Sequence, residues 1–149
     1  MRIIIGCALG LFASMSQAFC FNEAGARYHL DPQLLRSMAV VESALNAHAI
    51  NENKRHGRVL SVDYGLMQIN STHIPNLKRL GIIKDKQELL TKPCLNVQIG
   101  AWLLAGHLQK CGVNWQCLGT YNTGFTHNIP GRMRYARKVY RVYLADKGA

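Results

Sequence analysis

Two carboxylates in this chain, Glu42 and Asp63, sit where acid chemistry is possible. Glu42 belongs to the run Ser37-Met38-Ala39-Val40-Val41-Glu42-Ser43. Leu34, Leu35, Met38, Val41 and Leu45 repeat there at helical spacing. Glu42 follows Met38 by four residues and precedes Leu45 by three, so it lies on the stripe that should face the core. A carboxylic acid on such a face is desolvated and its pKa rises, which is the state a general acid needs near neutral pH. The competing reading is a structural glutamate at the core rim, paired with an arginine. Taken alone, that reading is the better of the two. Asp63 lies beyond a polar stretch and precedes Tyr64-Gly65. A helix end and a returning extended segment would bring the pair across a cleft. Two carboxylates flanking a sugar ring are the equipment of glycosidic bond cleavage, one held protonated and one in a polar setting. For Asp63 the alternative is an Asx-type turn before Gly65, and spacing alone divides the two evenly.

The elements that must position these residues read as mostly helical. Phe21 to His29 is a short helix. Asp31-Pro32 is an N-cap and first helical position for the helix carrying Glu42. Asn46 to Arg58 is polar and reads as a loop, followed by an irregular, weakly extended piece at Val59 to Tyr64. Gly65-Leu66-Met67-Gln68-Ile69-Asn70-Ser71 interleaves apolar and polar residues, and alternation would point Gln68 and Asn70 to one side. Amides there can bond sugar hydroxyls and acetamido groups, or merely close a turn. One or two helical turns follow at His73 to Leu80, and a short helix at Lys86 to Leu90 capped by Asp85. Asn96 to Lys110 is apolar nearly all round and should be the buried central helix. Trp115 to Tyr121 is short and ends at Asn122 and Gly124. A loop over Phe125 to Gly131 then leads to a basic helix ending near Leu144. The fold expected is a single compact helical domain, mostly α, with a short irregular strand-like insertion near residues 59–70.

The chain has 149 residues and a formal charge of +10, which bounds it to one domain with a real core. Residues 1–18 read as a secretory signal: Arg2, an apolar run from Ile3 to Ala13, then the small-x-small site Ser16-Gln17-Ala18. That run is short for a transmembrane helix, and no later run is apolar enough to span, so no stable membrane insertion is expected. Residues 19–149 then form the mature domain. Export makes Cys20, Cys94, Cys111 and Cys117 a pair of disulfides. A helix from Asn96 to Lys110 would hold Cys94 and Cys111 on the order of 25 Å apart, far beyond a bridge. That favours Cys111–Cys117 across the Gly112-Val113-Asn114 turn and Cys20–Cys94. Cysteine and histidine spacing does not fit a zinc site, so no metal is expected. The basic charge suits an anionic polymer or surface, while Arg132, Arg134, Arg137, Lys138 and Arg141 also read as a solvated helix face. Export and the lack of a recognisable module argue against nucleic acid.

The order of motifs carries a resemblance. Glu42-Ser43 at a helix end, Gly65-Leu66-Met67-Gln68-Ile69-Asn70, Tyr121-Asn122-x-Gly124 and Tyr135-Ala136 resemble the soluble lytic transglycosylase (SLT) domain family over about Cys20 to Tyr143. Pro93-Cys94-x-Asn96 and Gly100-Ala101-Trp102 are similar to the small, single-domain members that accompany bacterial type III and type IV secretion systems. The resemblance implies a lysozyme-like α+β fold and no cofactor. It implies Glu42 as acid then base, Ser43 in support, and Met67 and Gln68 lining a glycan subsite. It also places Tyr121 and Asn122 beside the carboxylate, with Tyr135 hydrogen-bonded to Glu42. Most transglycosylases of this type have no second acid at the position of Asp63. The run Asp63-Tyr64-Gly65-x-x-Gln68-Ile69-Asn70 instead resembles hen-type lysozymes, so the site looks like a hybrid.

The expectation that follows is a periplasmic enzyme of a Gram-negative envelope, a monomer acting on peptidoglycan glycan strands. It would leave 1,6-anhydro ends and open the wall for a secretion system, one of whose rod or needle-complex components would bind it. The alternatives are a hydrolytic muramidase, suggested by Asp63, and a non-catalytic glycan-binding scaffold, against which Glu42 argues. A basic membrane-active protein rests on charge alone.

Overall fold

The computed structural model describes residues 19–148, and the expected signal peptide over residues 1–18 lies outside them. In chain order the elements are α1 (Phe21–Tyr28), α2 (Pro32–Ser43), β1 (Ile50–Arg55), β2 (Arg58–Tyr64), β3 (Ile69–Asn70), α3 (Ile74–Arg79), α4 (Glu88–Thr91), α5 (Pro93–Cys111), α6 (Trp115–Leu118), α7 (Thr120–Thr123) and α8 (Ile129–Lys147). This is the mostly helical architecture with a small sheet that the sequence implies. Leu35 and Met38 of α2, Leu66 and Met67, Val97 and Leu104 of α5, and Val139 of α8 are fully or almost fully buried and form the centre of one core.

Helix α2 begins as its sequence dictates. The Asp31 carboxylate accepts from the Gln33 N–H at 2.8 Å, and Pro32 takes the first helical turn, where its missing N–H costs nothing. It packs against α8 along its length. Asp31 also accepts from the Tyr143 hydroxyl at 2.5 Å, and Arg36 pairs with Asp146. The far end of α2 is tied to α8 through Glu42 itself. Helix α5 runs from Pro93 rather than Asn96, and buries Asn96, Val97, Ile99, Gly100, Ala101, Leu104 and Leu108.

The insertion is larger than the sequence suggests. Residues read as a polar loop form β1, which pairs antiparallel with β2, and β2 pairs with β3. Every residue of β1 is exposed, so the strand shows no apolar alternation and is defined by its ladder to β2. Two further boundaries move. The segment read as one helix over Trp115 to Tyr121 is two single turns, α6 and α7. Thr120 at their junction donates its hydroxyl back to the Cys117 carbonyl at 2.6 Å. Helix α8 starts at Ile129, capped by Asn128, whose side-chain oxygen accepts from the Gly131 N–H at 2.9 Å. Disulfides join Cys20 to Cys94 and Cys111 to Cys117, the pairing that helix length favours.

Candidate active site

The turn between β2 and β3 is the hinge of the site, and a buried amide holds it. Asn96 on α5 accepts from the Met67 N–H at 2.8 Å and donates to the Tyr64 carbonyl at 2.8 Å and the Leu89 carbonyl at 2.9 Å. Gly65 sits over this amide with φ +75°; a Cβ there would lie 2.3 Å from the Asn96 nitrogen, so no other residue fits. Ser43 donates its hydroxyl to the Leu66 carbonyl at 2.9 Å. It therefore supports Glu42 indirectly, by tying the end of α2 to this turn.

Met67 departs from the role the resemblance implies. Its side chain is fully buried and lies against Gly100 of α5, where a Cβ would come within 2.6 Å. It is a core residue and does not line the cleft. Its carbonyl faces the site instead, and accepts from the Tyr121 hydroxyl at 2.8 Å. The strand alternation read for Gln68 and Asn70 also fails, because Gln68 takes φ +50° and turns the chain before β3. The Gln68 amide is spent on the Gly65 carbonyl at 2.9 Å and on the Asn51 side chain at 2.7 Å. Both residues still border the cleft.

Asp63 stands on the middle strand, in register with Asn51 on one side and Asn70 on the other. Cross-strand partners share a face, so amides surround it. Its two oxygens accept from Asn53 and from Asn70, each at 2.7 Å, and Ser61 joins both amides. This is a built polar platform rather than a lone turn residue.

Glu42, at the last turn of α2, faces Asp63 across a cleft of about 470 Å³, a size usual for small-molecule sites. Burial is the main cause that lifts its pKa, from 4.5 to about 7. Tyr135 on α8 donates to Glu42 Oε1 at 2.6 Å and works the other way, while the like charge of Asp63 adds to the rise. Burial also holds the Tyr135 and Tyr121 phenols well above the usual tyrosine range, so both remain neutral donors. Asn122 and Thr123 close the wall beyond Glu42.

Two histidines that sequence spacing leaves as surface or structural residues border the same cleft. His73 follows β3, and burial lowers its pKa against a smaller raising effect of Asp63. His107 on α5 shares a 2.7 Å hydrogen bond with the Thr120 hydroxyl and stacks near Phe125. Burial lowers its pKa too. Both therefore offer neutral imidazoles to a ligand. Nothing local marks them, since they come from separate elements. Among the described residues no group of three or more His, Cys, Asp or Glu is arranged to hold a metal ion. The cleft thus presents a protonatable acid, an acid in an amide cage, and neutral hydrogen-bonding groups. That arrangement can give a proton to a leaving oxygen and stabilise positive charge developing nearby.

Comparison with known proteins matches residues 19–140 to the transglycosylase SLT domain. A "peptidoglycan-binding-like protein" of Escherichia coli O157:H7 is 49% identical over 132 residues, covering 87% of this chain and 79% of its own length. "Invasion protein IagB" of Salmonella typhimurium (strain SL1344) is 37% identical, covering 88% and 79%. "Protein IpgF" of Shigella flexneri is 35% identical, covering 87% and 82%. Among solved structures, an inactive mutant of the lytic transglycosylase Slt from Pseudomonas aeruginosa superposes with a TM-score of 0.65 at 19% identity. It covers 89% of this chain, which spans 24% of that larger one, and the likeness is one of fold.

Proposed function

This chain belongs to the transglycosylase SLT domain family, and from that premise we propose that it is a peptidoglycan lytic transglycosylase. It would cleave the β-1,4 bond between N-acetylmuramic acid and N-acetylglucosamine and leave a 1,6-anhydromuramic end. The observation that carries this reading is Glu42: a carboxyl on a cleft wall, held near neutral pKa by burial and oriented by Tyr135. Protonated Glu42 gives its proton to the glycosidic oxygen as the bond from the anomeric carbon breaks. The carboxylate of Asp63 stabilises the oxocarbenium-like sugar that results. Glu42, now ionised, takes the proton of the muramyl C6 hydroxyl as that oxygen bonds to the anomeric carbon. The acid is regenerated and no water is consumed.

Asp63 favours a second reading, hydrolysis, in which water takes the place of the C6 hydroxyl. Mass spectrometry of muropeptides released from purified sacculi separates the two. Anhydro ends are lighter by one water than reducing ends, and products with reducing ends alone would overturn transglycosylation.

We place the activity in the periplasm, with residues 1–18 as the signal peptide and residues 19–149 as the enzymatic domain. The relative named an invasion protein, and the similarity to secretion-associated enzymes, support a role in opening the wall locally for an envelope-spanning machine. A rod or needle-complex component would then recruit it. Native co-purification that recovers no such component would count against this role.

A further inference from the structure

The cleft does not end at Glu42. A second depression of about 240 Å³ lies on the other side and shares Glu42, Asn122 and Thr123 with the first. The two differ in charge. The arm beyond Asp63 is lined mostly by amides, hydroxyls and imidazoles, with the two carboxylates and the apolar Ile69, Leu103 and Phe125 among them and no lysine or arginine. The other arm is lined by Arg134 and Lys138 of α8, and its one acidic residue is Glu42. Arg134 and Lys138 are both exposed, and neither is in an ion pair among the described residues. The first turn of α8 also borders this arm through Asn128 and Gly131, so the positive end of the helix dipole adds to the field. The volume is below the ~300–1,000 Å³ of a whole small-molecule site, which suits one charged part of a larger ligand.

We propose that this basic arm is a subsite for the carboxylates of the peptide stem, so that Arg134 and Lys138 make the enzyme prefer stem-bearing glycan. The inference rests on peptidoglycan being the substrate. Its chemistry follows from the polymer. The sugars are neutral amides and hydroxyls, which match the first arm. The stem peptides are anionic and leave the muramyl ring next to the bond that Glu42 would cleave. Stems recur on every second sugar, and the one carried by the muramyl ring being cleaved lies within reach of the basic arm, because that arm shares Glu42.

The test compares native sacculi with sacculi whose carboxyls have been converted to amides, which keeps the glycan and removes the stem charge. The wild-type protein is expected to cleave native sacculi with a kcat/KM about five- to tenfold higher, the scale of two solvent-exposed charge contacts. Arg134→Gln/Lys138→Gln should lose that preference and leave cleavage of amidated sacculi within about twofold. Lys84→Gln/Lys86→Gln removes the same charge at residues that line neither arm and should keep the preference. Equal loss in both double variants would mean general attraction and would overturn the subsite, as would a wild-type protein indifferent to amidation. A shifted pH profile in Arg134→Gln/Lys138→Gln would mean that the cations act on the proton of Glu42, and would also overturn it. Sedimentation with sacculi reads the same preference as binding. A protein that binds selectively but never cleaves would overturn the enzymatic reading and leave the subsite standing.

Discussion

Replacing Glu42 by glutamine should stabilise the protein while abolishing cleavage, and the stabilisation should depend on pH. The folded protein carries the Glu42 carboxyl at about 7, against an ordinary 4.5, chiefly because burial disfavours the charge. Between those two values the folded state keeps a proton that the unfolded chain has released, so stability falls as pH rises through that window. Below it the carboxyl is protonated in both states and no penalty exists. Above it the full cost of a desolvated carboxylate is present, about 3 kcal/mol for a displacement of this size. Glutamine is neutral throughout, and its side-chain oxygen still accepts from Tyr135. Glu42→Gln should therefore raise the unfolding free energy by about 3 kcal/mol near pH 8 and by nearly nothing near pH 4. Urea unfolding of both proteins at the two pH values, disulfides intact, measures this. A stability difference that does not vary with pH, or a variant weaker at the higher pH, would refute the account of Glu42 as a buried, proton-holding acid. Cleavage of sacculi by Glu42→Gln at more than a few per cent of the wild-type rate would refute its proposed catalytic role separately.

The neighbours of Glu42 should move its titration in opposite directions. Asp63→Asn removes a like charge and should shift the alkaline limb of the cleavage profile to lower pH, while Tyr135→Phe removes a hydrogen bond to the carboxylate and should shift it higher. Asn96→Ala should cost about 3 kcal/mol or more, because the Met67 N–H and the Tyr64 and Leu89 carbonyls lose their partner in the core; urea midpoints read this directly. The two disulfides should differ. Cys20–Cys94 spans 74 residues and Cys111–Cys117 spans 6, so loop closure assigns them about 4 and about 2 kcal/mol, measured by unfolding of paired serine variants.

Helix α2 was legible because a cap, a proline and a repeating apolar stripe all agree over Asp31 to Ser43. Helix α5 was legible as a nearly all-apolar run, although it begins at Pro93, and α8 as a basic helix, although its Asn128 cap sets its start at Ile129 within the stretch read as loop. Strand β1 was hidden because both its faces meet solvent, leaving no periodic pattern to read. The cleft role of Met67 came from the resemblance alone; Gly100, thirty-three residues on, is what opens a pocket for its side chain in the core. The polar cage around Asp63 depends on strand register, which a sequence with an unrecognised strand cannot supply. His73 and His107 converge only through tertiary packing, and a lone histidine at helical spacing carries no local mark of a cleft.

The amide of Asn96 separates the frame of the site from its furnishings. It grips main-chain atoms of Tyr64 and Met67, which are the same whatever side chains those positions carry. Asp63, Asn53 and Ser61, by contrast, are satisfied among one another and by the Asn70 amide through side chains, and only Asn70 also holds main chain, accepting from the Thr72 N–H at 3.0 Å. Such a platform can be exchanged as a set, or lose its carboxylate, without displacing the turn that carries it or the helix that carries Glu42. Evolution could therefore alter how the sugar is held after its bond breaks while the proton donor stays in register, which is one route by which water-using and water-free cleavage can share a scaffold.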